Sequence, residues 1–254
     1  MMTMATFETI HLMETDSTNR WAADHDDGRD LVVWTDYQTA GRGCDTNTWE
    51  SERDMNLLFS VLCHPHHVAV NRQYLLTVAM ALAVKRVMDS YTPDEPLTVK
   101  WPNDLYWRDG KLGGILAECV LTAGRMKRCI IGVGLNLNQR RFLSDAPNPV
   151  SMTQICGETL SREVVLQSIM DRFAHYLELL ETGNEAPVLD EYRQALYRRE
   201  GYHAYRDGSG PFEAELVTVE DDGHLVLRDN EGQLRRYAFK EVSFVIPPFI
   251  YNNV

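Results

Sequence analysis

The chain has 254 residues, 44% hydrophobic and 24% charged, the balance of an ordinary soluble globular protein with room for one large domain and a small one. A formal net charge of −12 argues against a nucleic-acid binder, because such affinity rests on cationic contacts to phosphate. No apolar run is long enough to span a bilayer, and residues 1–9 lack the basic start and apolar core of a signal peptide, so a cytoplasmic address is expected.

Asp16 or Ser17 offers an N-cap for a short helix running to about residue 26. Residues 31–35 are a short apolar run and read as a strand, whereas 36–54 are polar, aperiodic and glycine-containing, hence a loop. Residues 57–63 are again strand-like. Leu75, Val78, Ala79, Leu82, Ala83 and Val87 fall at helical spacing and predict a core-facing helix over 71–91. A strand over 97–101 runs into the turn Lys100-Trp101-Pro102-Asn103-Asp104, and Asp109-Gly110 reads as a hairpin turn. Strands follow over 115–121 and 129–137. Residues 161–181 predict a second helix with Val164, Val165, Ile169, Phe173, Leu177 and Leu180 on one side, and 188–197 a third. After residue 199 come short alternating runs broken by Asp207-Gly208, Asp222-Gly223 and Glu231-Gly232, the pattern of a small antiparallel barrel. The expected architecture is α+β: a mixed, largely antiparallel sheet with helices over 1–200, then a barrel over 201–254.

Five cysteines (Cys44, Cys63, Cys119, Cys129, Cys156) are odd in number and widely spaced, which argues against a disulfide framework. Cys119 and Cys129 could face each other across a hairpin turning near Ala123-Gly124, and all are read as packed thiols. The run Cys63-His64-Pro65-His66-His67 fits no structural zinc spacing and is read as a polar loop. There is no Walker A loop, and Gly132-Val133-Gly134 lacks the third glycine of a dinucleotide fingerprint, so any nucleotide must be held by another device.

Two segments carry more chemistry than the rest. The loop Gln38-Thr39-Ala40-Gly41-Arg42-Gly43-Cys44, closing on Trp49, has two glycines that let backbone amides approach an anion, an arginine that can fork onto carboxylate or phosphate, and a flat apolar ring. The Lys100–Asp104 turn puts a cation, an aromatic, a rigid proline and a carboxylate within five positions. With Lys111-Leu112-Gly113-Gly114-Ile115-Leu116, Gly132-Val133-Gly134-Leu135-Asn136 and Asp16-Ser17-Thr18-Asn19, they form an ordered set that resembles the biotin protein ligases over residues 10–250.

The resemblance implies the α+β catalytic fold of biotin and lipoate ligases over 1–200 and an SH3-like barrel over 201–254. It implies a two-step reaction. Biotin's carboxylate attacks the α-phosphate of ATP to give biotinyl-AMP, with Mg²⁺ assisting, and a lysine of a biotin carboxyl carrier domain then displaces AMP. Lys111 is similar to the lysine contacting biotin's carboxyl and the adenylate phosphate, Arg42 to the loop arginine beside them, and Asp104 to a carboxylate that orients or deprotonates the acceptor lysine. Ser17, Thr18, Asn19, Gln38, Gly43, Cys44, Gly113 and Gly114 are implied on the biotin side, and Trp49, Lys100, Asn103 and Asn136 on the ATP side, with Asn136 also near Mg²⁺. Singly, these are ordinary residues: solvated cations, a turn-capping Asp, a loop-start Asn, a helix N-cap, a strand bulge. Only their order favours function.

One departure stands out. The family continues after the second loop glycine with an arginine, and this chain has Cys44-Asp45-Thr46-Asn47, which implies that Arg42 and Lys111 carry more of the clamp. The regulatory members' DNA-binding domain is not expected, since the motifs begin within twenty residues of Met1. A lipoate or octanoate ligase is the nearest other enzyme, but its Arg-Arg-x-Ser-Gly-Gly-Gly signature is missing. A non-enzymatic biotin sensor would need no adenylating lysine. Exposed edge strands could pair two copies into a homodimer.

Overall fold

The structure, a computed structural model, describes residues 7–43, 48–143 and 148–249. Seven strands form the larger sheet: β1 (Glu8–Leu12), β2 (Leu31–Thr35), β3 (Leu57–Cys63), β4 (Thr98–Lys100), β5 (Asp104–Trp107), β6 (Gly110–Thr122) and β7 (Arg125–Leu135). Their spatial order is β1-β2-β3-β7-β6-β5-β4; β1 pairs with β2 in parallel and every other pair is antiparallel. β3 is an interior strand and all seven of its residues are buried, which is why it reads as an apolar run broken only by Ser60.

Successive side chains of a strand leave on opposite faces. Val32, Trp34, Phe59, Val61, Ile131 and Val133 therefore meet one layer of helices, α2 (Tyr74–Asp89), α4 (Arg162–Glu181) and α5 (Ala186–Gln194). Leu31, Val33, Leu62 and Ile130 face the other way, onto Ala22 of α1 (Thr18–Asp24). Eleven of the sixteen residues of α2 are buried, and each fully buried Leu or Val there contributes roughly 2 kcal/mol.

The second sheet holds β8 (Tyr202–Asp207), β9 (Gly210–Val219), β10 (Leu225–Asp229), β11 (Leu234–Tyr237) and β12 (Val242–Phe244), all antiparallel, in the order β11-β10-β9-β8-β12. It is bonded to the larger unit along a seam: Trp101 Nε1 donates to Gly223 O (3.0 Å), Arg193 Nε to Val219 O (3.0 Å) and Asn148 Nδ2 to Pro247 O (2.7 Å).

Several expectations need correction. β1 and the short helix α3 (Met152–Cys156) are additional elements; α3 carries a capping box between Ser151 and Gln154. The hairpin turn is Arg108-Asp109, not Asp109-Gly110: Trp107 pairs with Gly110, and Arg108 takes the positive φ of 51°. Val164 is 59% exposed, and the buried stripe of α4 instead includes Leu166, Met170 and Tyr176. α5 stops at Gln194 because the next residues turn to hydrogen-bond β4, Val99 N donating to Ala195 O and Tyr197 N to Val99 O.

Cys119 does lie opposite Cys129 across the β6–β7 hairpin, with the Sγ atoms 2.6 Å apart as thiols, and Cys63 continues the row on β3. His64, between β3 and α2, hydrogen-bonds Asp30 and Asp26, both in the loop between α1 and β2. Among the described residues no helix is long and apolar enough to cross a membrane.

Candidate functional site

The start of α1, the loop following Gln38, the β4–β5 turn, the middle of β6 and β7 and the segment 239–246 of the second sheet enclose a cavity of about 1000 Å³. Among the described residues, four cationic side chains line it, Arg42, Lys100, Lys111 and Lys240, against a single carboxylate, Asp104. In a chain of net charge −12 this local excess of positive charge selects for anions.

Register builds the charged cluster. Lys100 ends β4 directly opposite Asp104, which begins β5, and a bulge between Leu105 and Tyr106 brings Lys111 of β6 alongside. Lys111 Nζ lies 2.8 Å from Asp104 Oδ1, and Lys100 Nζ lies 3.8 Å from Oδ2. Burial pushes the Lys100 ammonium below the usual lysine range; Asp104 opposes this and the neighbouring Lys111 charge adds to it. Lys100 Nζ also sits 4.9 Å from the ring centre of Phe244, on the second sheet. A ligand anion would replace solvation that both lysines lack. Replacing Lys100 by methionine is expected to raise the melting temperature by a few degrees at pH 7. The strain on the charged form is present below the depressed pKa and fades as pH rises from there towards the ordinary lysine value, so the gain should shrink over that rise; thermal melts at pH 7 and at stepwise higher pH check this.

The opposite wall is polar and neutral. Thr18 donates to Gln38 Oε1 through its backbone N (2.8 Å) and its Oγ1 (3.1 Å). Ser60, at the middle of β3, shares its hydroxyl proton between Thr18 Oγ1 (2.7 Å) and Asn19 Oδ1 (2.6 Å). Asn19 Nδ2 donates to Glu118 (2.6 Å) on β6. Ser17, at the N-cap of α1, makes no side-chain cap bond and lines the cavity instead. Trp49 lies flat on β7: a Cβ on Gly134 would come within 2.5 Å of its ring. Its Nε1 is buried with no hydrogen-bond partner, a donor that a ligand could satisfy.

Most sequence-predicted residues converge here. Ser17, Thr18, Asn19, Gln38, Arg42 and Gly43 line the cavity, as do Trp49, Lys100, Asn103, Asp104, Lys111 and Gly114. Arg42 and Lys111 share it, Arg42 reaching in from the loop while its Nη2 sits 3.3 Å from Glu118. Two do not line it. Gly113 packs instead against β7, where an added Cβ would lie 2.9 Å from Gly134 O. Asn136 is buried beneath β6, with its Nδ2 donating to Val150 O (3.2 Å) and Lys111 O (3.5 Å). Its Nδ2 thereby braces the strand that carries Lys111. Cys44 lies outside the described residues.

The sequence reasoning missed Ser60, Glu118, Gly132 and the barrel residues Phe239, Lys240, Ser243 and Phe244. Ser60 had a signal, as the lone hydroxyl in the otherwise apolar Leu57–Cys63. The barrel residues had none, since their place depends on how one sheet docks against the other.

The sequence profile of the Biotin/lipoate A/B protein ligase family matches residues 13–136. Those residues form a domain of that family. The chain is 29% identical over 233 residues to the bifunctional ligase/repressor BirA of Bacillus subtilis (strain 168), covering 89% of this chain and 70% of that one. It is 26% identical to the biotin–[acetyl-CoA-carboxylase] ligase of Paracoccus denitrificans, covering 87% of this chain and 95% of that one. Among solved structures, the biotin protein ligase from Aquifex aeolicus in complex with biotin and ATP superposes with a TM-score of 0.79 at 24% identity, over 94% of this chain and 99% of that one. The α+β fold of this chain and its second sheet thus follow the biotin ligase architecture.

Proposed function

We propose that the chain is an ATP-dependent biotin–protein ligase, which forms biotinyl-AMP and passes biotin to a lysine of a biotin carboxyl carrier domain. One observation carries the reading: among the described residues, four cations and a single carboxylate share a cavity with an amide-and-hydroxyl wall and a tryptophan. Bringing a carboxylate up to a phosphate places two anions in contact, and cations fixed beforehand offset that repulsion and the charge growing on the α-phosphate. Lys111 is placed to bridge biotin's carboxylate and the phosphate, with Arg42 reaching in from the loop and Lys100 from below. Thr18, Asn19 and Gln38 offer the donors and acceptors that a ureido ring needs, and Trp49 an apolar face for the thiophane or adenine.

Attack by the carboxylate oxygen forms the mixed anhydride and expels pyrophosphate. The acceptor amine then attacks the carbonyl carbon, AMP leaves, and the amine gives up a proton. Among the described residues lining the cavity, Asp104 is the carboxylate for that proton. Mg²⁺ would enter with the phosphates of ATP as their counter-ion, since Asp104 already faces two lysines. We read residues 1–200 as the catalytic unit and 201–254 as an SH3-like barrel whose 239–246 segment completes the nucleotide side.

Biotin-dependent exchange of pyrophosphate into ATP tests the reading, with lipoate and a biotin-free mixture as controls; exchange with lipoate alone, or none, would refute it. Asp104→Asn is expected to keep exchange within about threefold while slowing transfer to a carrier domain about a hundredfold. Equal loss in both half-reactions would instead assign Asp104 to holding the lysines.

A further inference from the structure

Asn19 is 5% exposed and its side chain occupies the space that a Cβ on Gly132 would fill, 2.2 Å from its Oδ1. A neutral amide in such a place can present either of two faces, because rotating it by half a turn exchanges a donor for an acceptor. Something must choose. Glu118 has only acceptors to offer, so Asn19 Nδ2 faces it at 2.6 Å and Oδ1 is turned to the Ser60 hydroxyl at 2.6 Å. Ser60 touches Thr18, and Thr18 donates twice to Gln38 Oε1, which leaves the Gln38 Nε2 protons to offer a ligand carbonyl. The same carboxylate holds Arg42, with both oxygens 3.3 Å from Nη2. Glu118 does not itself line the cavity, yet it touches two residues that do.

We propose that Glu118 is a positioning residue of the biotin site: it fixes the donor–acceptor sense of the Asn19–Ser60–Thr18–Gln38 chain and tethers the loop that carries Arg42. This rests on the ligase reading and adds to it a residue that acts through its neighbours. A charged acceptor suits the task because the bond it receives is about twice as strong as a neutral one, so the amide has one favoured orientation rather than two. The neighbouring Arg42 guanidinium partly balances the carboxylate charge at the cavity rim.

The test compares the full chain with Glu118→Ala and Glu118→Gln in biotin-dependent ATP–pyrophosphate exchange. The side chain is half exposed on β6, so both variants are expected to melt close to the wild type. Glu118→Ala is expected to raise the KM for biotin about tenfold, the size of one lost charge-assisted hydrogen bond, with the KM for ATP within about twofold. Glu118→Gln keeps an oxygen for Asn19 and is expected to restore most of the biotin KM. Lacking the charge that tethers Arg42, it should release biotinyl-AMP faster than the wild type. An unchanged biotin KM in Glu118→Ala, or no rescue by Glu118→Gln, overturns the proposal. Absence of exchange in the wild type would instead overturn the ligase reading on which it rests.

Discussion

Replacing Lys111 by alanine is expected to lower biotin-dependent ATP–pyrophosphate exchange by about 10²- to 10³-fold, on the order of 3–4 kcal/mol of transition-state stabilisation. In the proposed reaction Lys111 is the cation assigned to the point where carboxylate and phosphate meet; it lies 2.8 Å from Asp104 and 5.9 Å from the ring centre of Trp49. The neighbouring cations do not replace it. Lys100 is 3.8 Å from the far oxygen of Asp104, and Arg42 approaches from the opposite rim, paired with Glu118. The fold should be indifferent, because Lys111 is only partly buried and its strand is held by backbone bonds, Lys111 N donating to Asn148 O at 2.7 Å and Val150 N to Lys111 O at 3.0 Å. Exchange kinetics beside a thermal melt decide the matter. An activity within tenfold of the wild type would remove Lys111 from the centre of the chemistry.

Gly134→Ala is expected to be nearly as damaging, by steric rather than electrostatic means. A methyl group at that position would lie 2.5, 2.8 and 2.8 Å from three atoms of the Trp49 indole. β7 is bonded on both sides, to β3 and β6, and cannot retreat. The ring must lift, and it lifts into the space between Lys111 and Gly114, where its edge already lies 3.5 Å from an ideal Gly114 Cβ. We expect kcat/KM to fall about a hundredfold for both biotin and ATP, since both would meet a displaced wall. Gly208→Ala is the control: nothing lies within 4 Å of its Cβ, and its activity should match the wild type. Equal activity in the two variants would mean that Trp49 is not part of the binding surface.

The fold was legible where one-dimensional pattern and three-dimensional role coincide. The helical spacing in α2 and α4 and the apolar runs of β2 and β3 are consequences of burial, and burial leaves its trace in residue type. β1 was not legible because Glu8–Leu12 lies at the sheet edge and carries Glu, Thr and His among its five residues. Val164 misled because α4 is buried on a stripe that also takes in Leu166 and Met170, leaving a valine of equal hydrophobicity on the outer side.

The site was legible for a different reason. Lys100, Asp104, Lys111, Gln38 and Arg42 were found through an ordered set of short motifs, not through periodicity. What escaped were partners brought in by register: Ser60, three strands from Glu118 in the chain but linked to it through Asn19, and the barrel residues that meet Lys100 only because two sheets dock. Asn136 shows the converse. A residue inside a motif can lie outside the cavity lining and brace the strand beneath it.

That docking has one more consequence. The walls of the cavity belong to two separately bonded sheets, with Phe239, Val242, Ser243 and Phe244 on one side and Thr18, Trp49 and Lys111 on the other. Whatever fills it acts as mortar between them. The small sheet, which is joined to the large one by hydrogen bonds such as that of Trp101 to Gly223, will then melt together with it instead of ahead of it, so occupancy should sharpen the thermal transition as well as raise it.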